Sequence, residues 1–287
     1  MFKVAILGCE NSHAANFLKV IQNENIQDIE IVGVFSEFDG AAEDLNERFG
    51  VPVAESYDAF VGHIDGLIIT ARNGDNHYKY AKPYLDSGIP MFLDKPITNT
   101  EEDAREFMQT LKDRNIPVCG GSTLKHAEST RELKALIASG EQEQPIGGYV
   151  RAPMNIDSEH GGFFFYAQHL VQIMGELFGY YPKSVLARRN GDQVTCIVRY
   201  EDYDISCLYV DRRNTYYAAV NFKGSVEGRV FPIPLVGAPS REFHDFYNLL
   251  QGKPMPQSYE ELFAPVFTMN AIHRALLSGN EEPVHRI

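Results

Sequence analysis

Between Val4 and Leu111 the chain passes four times from a short apolar run into a stretch with helical periodicity. Val4-Ala5-Ile6-Leu7 has the continuous apolar character of a strand buried on both faces, and Ala14, Phe17, Leu18 and Ile21 then recur at the i, i+3, i+4, i+7 spacing of one helix face. The alternation continues through a β-rich 29–35, a helical 41–49, a β-rich 66–70, a helical 77–87 and an extended 90–93. Thr100, with Asp103 three residues on, reads as the N-cap of a helix carrying Ala104, Phe107, Met108 and Leu111, before the strand Pro117-Val118-Cys119. Parallel strands need crossovers, so serial β-α-β units predict an α/β fold in which residues 1–120 form a doubly wound parallel sheet.

Beyond Gly120 the rhythm changes. Helical stretches at 129–139 and after Gly161-Gly162 precede β-type runs at 183–189, 193–200, 205–210, 216–222 and 228–233 with no helix between them. Turns such as Asn190-Gly191-Asp192 favour hairpin pairing. Two amphipathic helices close the chain, one with Phe243, Phe246, Tyr247 and Leu250, the other with Leu262, Val266, Met269 and Leu276. Residues 121–287 are therefore expected to form a second, α+β domain with an open, mainly antiparallel sheet. Tyr200, Tyr203, Tyr209, Tyr216 and Tyr217 lie in or beside its strands. They predict an uncovered, tyrosine-rich face and hence a homodimer or homotetramer.

Lys and Arg total 26 against 39 for Asp and Glu, a formal charge of −13 that repels a phosphate backbone or an anionic membrane surface. Nucleic-acid and membrane partners are not expected. No apolar run reaches the roughly 18 residues of a spanning helix, and Met1 to Gly8 is too short an apolar segment for a signal peptide, so the mature protein is expected to begin at Met1. Cys9, Cys119, Cys196 and Cys207 form no C-x-x-C pair and read as reduced core thiols of a cytoplasmic protein.

A strand that turns directly into a helix gathers backbone N–H groups and the positive end of the helix dipole at one spot, the place where a dinucleotide pyrophosphate binds. Here that turn is Gly8-Cys9-Glu10-Asn11-Ser12-His13. Of the G-x-G-x-x-G fingerprint only Gly8 remains, with Glu10 and His13 in the second and third glycine positions. A carboxylate aimed at a pyrophosphate opposes binding unless it turns away or is neutralised. The turn alone reads equally well as a dinucleotide site and as a structural turn, because Asn11-Ser12 before an apolar helix is also a capping signature. The ribose end falls on Ser36 or Glu37, at the end of the second β-run. NAD is favoured and NADP left open, since no Arg or Lys adjoins Ser36. Thr70 and Ala71 end the third β-run. His77 follows their loop and reads either as a residue near the nicotinamide edge or as a helix cap.

Phe92-Leu93-Asp94-Lys95-Pro96 places an acid and a lysine at the carboxyl end of a strand, the edge at which ligands bind in doubly wound sheets. The Asp94-Lys95-Pro96 triplet resembles the Glu-Lys-Pro motif of the glucose-fructose oxidoreductase, inositol dehydrogenase and rhizopine-catabolism (Gfo/Idh/MocA) family. Thr70 with His77, Gly88-Ile89-Pro90, Gly120-Gly121, Gly161-Gly162 followed by His169, and the ending from Ser258-Tyr259-Glu260-Glu261 to Ser278-Gly279 are similar to that family in the same order. The resemblance implies an N-terminal Rossmann domain binding NAD or NADP and a C-terminal domain for substrate binding and oligomerisation. It implies a dehydrogenase of CH–OH groups in a polyol, sugar or derivative, with substrate held between the domains. On the family pattern Lys95 binds the reacting hydroxyl, His169 is the general acid/base, and Gly8, Asn11, Ser12, His13, Ser36, Glu37, Thr70, Ala71, His77, Asp94 and Lys95 line the cofactor. Lys125 falls near a basic position of the substrate pocket, although a solvated surface lysine fits it as well.

Two positions depart from the pattern. Phe165 stands where the family has an aspartate four residues before the histidine, and Gln172 replaces an acid three residues after it. Tyr166 could lend a hydroxyl in their stead. The loss favours an alternative from another class, a protein that binds a nucleotide or metabolite in a regulatory role without hydride transfer. A third possibility is a lyase or glycosidase that uses tightly held NAD transiently. The run Phe163-Phe164-Phe165-Tyr166 suits either an apolar pocket or core packing. The histidines His13, His77, His126, His160 and His169 show no H-x-x-x-H spacing, so no metal is expected.

Overall fold

The computed structural model describes residues 1–211 and 214–286. They divide into two compact units, residues 1–121 with 239–262, and residues 122–238 with the chain from 263 onward. In the first unit β1 (Phe2–Leu7), β2 (Ile29–Phe35), β3 (Gly66–Ile69), β4 (Met91–Asp94) and β5 (Val118–Gly121) form a parallel sheet in the order β2-β1-β3-β4-β5. The helices α1 (Ser12–Asn23), α2 (Ala41–Phe49), α3 (Asp75–Ala81) and α4 (Glu101–Asp113) make its crossovers. The strand order reverses between β1 and β3, so a binding crevice is expected at their carboxyl ends. The stretch expected as one helix over 77–87 is α3 followed by a tighter turn at Lys82–Ser87, because Pro83 has no N–H to continue the α-helical ladder.

Thr100 caps α4 as its sequence predicts, its Oγ1 accepting the Asp103 N–H at 3.1 Å. Thr100→Ala is expected to cost about 1 kcal/mol of stability, read from urea unfolding, whereas Thr100→Ser leaves it nearly unchanged.

The second unit holds α5 (Glu128–Ser139), β6 (Gly147–Met154), α6 (Phe164–Phe178), β7 (Ser184–Asn190), β8 (Gln193–Arg199), β9 (Asp204–Asp211), β10 (Tyr217–Asn221) and β11 (Val226–Val230). After α7 (Ala238–Leu250) and α8 (Tyr259–Ser278) a short β12 (Glu282–Pro283) completes a seven-stranded sheet, β11-β10-β6-β9-β8-β7-β12. Every pairing is antiparallel except β6 with β9. The exception follows from connectivity: α6 carries the chain from β6 to a parallel β7, and the β7-β8-β9 meander brings β9 back in β7's direction. Sequence periodicity missed β6, whose Gly147-Gly148 and Pro153 argue against a central strand. Pro153 is tolerated because β10 pairs β6 only as far as Arg151, and the second glycine because the Phe178 ring packs where its side chain would stand.

The strands alternate in burial, with Val185, Val194, Cys196, Val198, Ile205, Cys207 and Tyr209 on the covered face and Leu186, Ile197 and Leu208 half-buried on the other. The tyrosine-rich face predicted from sequence is not formed. Tyr209 is buried with its hydroxyl donating to the Ala167 carbonyl of α6, and Tyr200 and Tyr203 donate to the Gly179 and Phe178 carbonyls at the end of that helix. Tyr216 is buried as well, which leaves Tyr217 beside Tyr149 on the opposite face. The helix termini and core recruit the hydroxyls that sequence position alone had placed outward.

The contiguous division at residue 120 also differs from the compact units. Residues 239–262 return to the first, where Phe243, Phe246, Leu249 and Leu250 of α7 join a core with Ile6, Phe17, Ile68 and Phe92. The Phe17 ring meets Phe92 at 4.9 Å and Phe243 at 5.5 Å. An amphipathic stripe states that a helix must be covered, not by which sheet. Among the described residues no helix is long and apolar enough to cross a membrane.

Candidate functional site

The β1–α1 turn is fastened from below. Gly8 adopts φ +72°, and a side chain there would lie 2.5 Å from the Cα of Ala71, so this glycine is required by the chain's own close approach. The amides of Gly8 and Cys9 both donate to the Phe35 carbonyl, at 2.8 and 3.1 Å. Thr70 adds an amide to the Leu7 carbonyl and a hydroxyl to the Gly8 carbonyl at 3.0 Å. Thr70 and Ala71 thus tie the ends of β1 and β3 together. His77 is fully buried and contacts the Ala71 carbonyl through Nε2 at 2.8 Å, and burial pushes its pKa down, so a neutral ring anchors the loop that follows β3.

The start of α1 departs from the capping signature. Asn11 occupies the N-cap in extended geometry, yet its side chain makes no cap; instead Nδ2 donates to Asp94 Oδ2 at 2.7 Å. Ser12 donates to Asn11 Oδ1 at 3.4 Å. With no side-chain cap and no acid in its first turn, α1 carries no anion of its own sequence at its positive end. His13 Nδ1 lies 2.9 Å from Asp94 Oδ1. Burial by itself lowers the His13 pKa, but the carboxylates of Asp94 and Glu242 outweigh it and the net shift is upward. Protonated imidazole at a helix N-terminus opposes the dipole, and Asp94 offsets that cost.

Asp94 therefore gathers Asn11, His13 and the amide of Lys95, which donates at 2.7 Å, and is itself wholly buried. Lys95 is 4% exposed. Burial lowers its pKa, Asp94 raises it, the Arg72 guanidinium lowers it and Glu242 raises it, with a net downward shift. The structure brings Gly8, Asn11, His13, Thr70, Ala71, His77, Asp94 and Lys95 into one network at the carboxyl edge of the five-stranded sheet.

At the end of β2 the two ribose candidates separate. Ser36 donates to Glu10 Oε2 at 2.8 Å, and Glu10 Oε1 accepts the Arg72 amide at 2.9 Å. The Glu10 carboxylate is thus drawn from the helix start towards β2. Glu37 pairs with Lys79 Nζ at 2.6 Å, and that ammonium also lies 5.5 Å from the ring centres of Tyr57 and Tyr80.

In the second unit His169 is nearly buried on α6, and its Nδ1 meets the Ser122 hydroxyl at 2.7 Å. Tyr166 and Tyr216 flank the imidazole edge-on at 5.3 and 5.9 Å. Gln172 accepts the Ser122 amide at 3.3 Å and donates to the Tyr180 hydroxyl at 2.8 Å, which in turn donates to Glu176. The carboxylate expected beside the histidine is replaced by a hydroxyl and an amide, with an acid further along the chain of bonds. Lys125 is half-buried on the turn Thr123–His126. Sequence reasoning missed Ser122, Arg72 and Glu242. Ser122 directly follows the Gly120-Gly121 pair and Arg72 the third β-run, but nothing local marks Glu242, an acid bordering the apolar stripe of α7.

Residues 2–121 match the model of an oxidoreductase family with an NAD-binding Rossmann fold. An uncharacterized oxidoreductase of Streptococcus pneumoniae is 24% identical over 161 residues, covering 50% of this chain and 42% of that relative, so the match spans less than half the relative's length. Scyllo-inositol dehydrogenase from Lactobacillus casei, solved with NAD(H) and scyllo-inositol, superposes with a TM-score of 0.86 at 15% identity over 99% of each chain. Myo-inositol 2-dehydrogenase from Lactobacillus plantarum gives 0.86 at 14% identity, again over 99% of each. At such identities the likeness establishes the two-part fold, while the family match rests on the first unit. Residues 2–121 are thus similar to the NAD-binding Rossmann domain of the Gfo/Idh/MocA oxidoreductase family.

Proposed function

We propose that the chain is an NAD(P)-dependent oxidoreductase that transfers hydride between a nicotinamide cofactor and a small hydroxylated substrate of the polyol or sugar class. One observation carries it: a buried lysine, Lys95, lies at the same sheet edge as a helix start that has neither a side-chain cap nor an acid of its own. The residues fit a dinucleotide, because Glu10 is held aside by Ser36 and the Arg72 amide and the positive end of α1 is left for a pyrophosphate. A dinucleotide held at that helix start would supply a nicotinamide as the hydride acceptor. Lys95 binds the substrate oxygen and stabilises its developing negative charge, and His169 exchanges the hydroxyl proton, with Ser122 fixing the ring through Nδ1. NAD is the preferred cofactor, since no Arg or Lys adjoins Ser36 in the sequence. The half-buried face carrying Leu186, Ile197 and Leu208 is the proposed contact of a homodimer or homotetramer. The four buried cysteines, none in a disulfide, suit a cytoplasmic location.

Calorimetric titration with NAD, NADH, NADP and NADPH tests the reading. One oxidised and reduced pair is expected to bind in about the micromolar range, followed by turnover in a screen of polyols and sugars. Folded protein that binds none of the four excludes it. Phe165 and Gln172, standing where the family has acids, favour a second reading, a regulatory binding protein. That reading predicts dinucleotide or metabolite binding with no turnover in the same screen.

A further inference from the structure

We propose that Glu10, supplied by the β1–α1 turn, is the carboxylate that selects an unphosphorylated adenosine ribose, so that the chain takes NAD and rejects NADP. The inference rests on the reading of the chain as a nicotinamide-dinucleotide protein and names the residue that makes its cofactor choice.

In doubly wound sheets the end of the second strand faces the adenosine ribose, and an acid there accepts from its hydroxyls. Here the acid at that end, Glu37, is 41% exposed and engaged by Lys79, whose ammonium also rests against two tyrosine rings. Moving Glu37 into a ribose site would leave that cation without its ion pair. Ser36 is the residue that faces the β1–α1 turn. Its Oγ accepts the Phe38 amide at 3.1 Å and gives its hydrogen to Glu10, so the hydroxyl has its donor committed. The charge presented at the end of β2 is therefore that of Glu10, fixed by one bond from β2 and one from the chain just after β3.

The second position of the phosphate turn is ordinarily glycine, and the residue there has here a different task. A carboxylate offers about four acceptor sites, of which two are used, so donors such as ribose hydroxyls can still be received. A 2′-phosphate has no such donor and brings like charge to a fixed carboxylate, a juxtaposition that is strongly unfavourable. The same two bonds that hold Glu10 keep its charge from the start of α1, where the pyrophosphate is to bind. One residue thus accommodates the dinucleotide and restricts its kind.

The test is calorimetric titration of the full chain, wild type, Glu10→Gln, Glu10→Ala and Glu37→Gln, each with NAD and NADP, with thermal unfolding as the check of folding. Wild type is expected to bind NAD at least about 100-fold more tightly than NADP. Both Glu10 variants are expected to shrink that ratio by about 10-fold or more, chiefly through gained NADP affinity, while Glu37→Gln leaves it unchanged. A wild-type preference for NADP, an unaltered ratio in both Glu10 variants, or a ratio that moves with Glu37 instead overturns the inference and leaves dinucleotide binding standing. Folded wild type that binds neither cofactor overturns the inference together with the reading beneath it.

Discussion

Lys95→Ala is expected to lower kcat for the substrate found in the screen by about 10² to 10³-fold while NAD binding persists. The argument is electrostatic. The lysine lies in a buried network where the effective dielectric is low, so a fixed cation beside a developing alkoxide is worth far more than the same charge in water. His13 does not replace it, because that imidazole is engaged by Asp94. The fold is expected to survive, since burial depresses the Lys95 pKa and the buried charge therefore costs stability at neutral pH. The unfolded chain binds its proton more tightly, so this cost is present below the folded pKa and fades as pH rises towards the ordinary lysine value. Removing the ammonium with Lys95→Met, which fills the space, is accordingly expected to leave the melting temperature no lower than in wild type. His169→Ala provides the companion measurement: a loss of roughly 10² to 10⁴-fold in kcat, again with NAD binding retained. Unchanged turnover in both variants would reject these assignments.

What could be seen in the sequence was what local periodicity encodes. The β-α alternation, the Thr100 cap and the placement of Lys95 at the end of β4 all follow from residues a few positions apart. The misread features depend on partners far away in sequence. Asn11 has the composition of a cap, but Asp94, 83 residues on, is a charged acceptor and a stronger partner for its amide. Glu37 sits where a ribose acid belongs, but Lys79 claims it, and Ser36 is claimed in turn by Glu10 from another loop. Each of these choices is a competition among side chains at one sheet edge, and a single sequence names the competitors without the distances. The same holds for α7, whose apolar stripe was legible but whose place under the first sheet was not.

Gly120→Ala is expected to be the most destabilising small substitution considered, costing more than about 3 kcal/mol and abolishing a single cooperative unfolding transition near the wild-type midpoint. Gly120 lies in β5 directly opposite Leu93 of β4 and adopts φ +140°, a conformation in which L-residues are strained. An added methyl would overlap the Leu93 carbonyl oxygen and lie 2.7 and 2.9 Å from its carbonyl carbon and amide nitrogen. These are backbone atoms of a buried central strand, so no rotamer change can relieve the collision. Only separation of β5 from β4 can, and that breaks the pairing of Leu93 with Gly120 and of Asp94 with Gly121 which fixes the Asp94-Lys95 corner. Gly224→Ala, at a glycine with open space around its missing side chain, is expected to change stability by less than about 0.5 kcal/mol. Urea unfolding followed by circular dichroism measures both, and a Gly120→Ala protein as stable as Gly224→Ala would show that β4 and β5 are not held in this register.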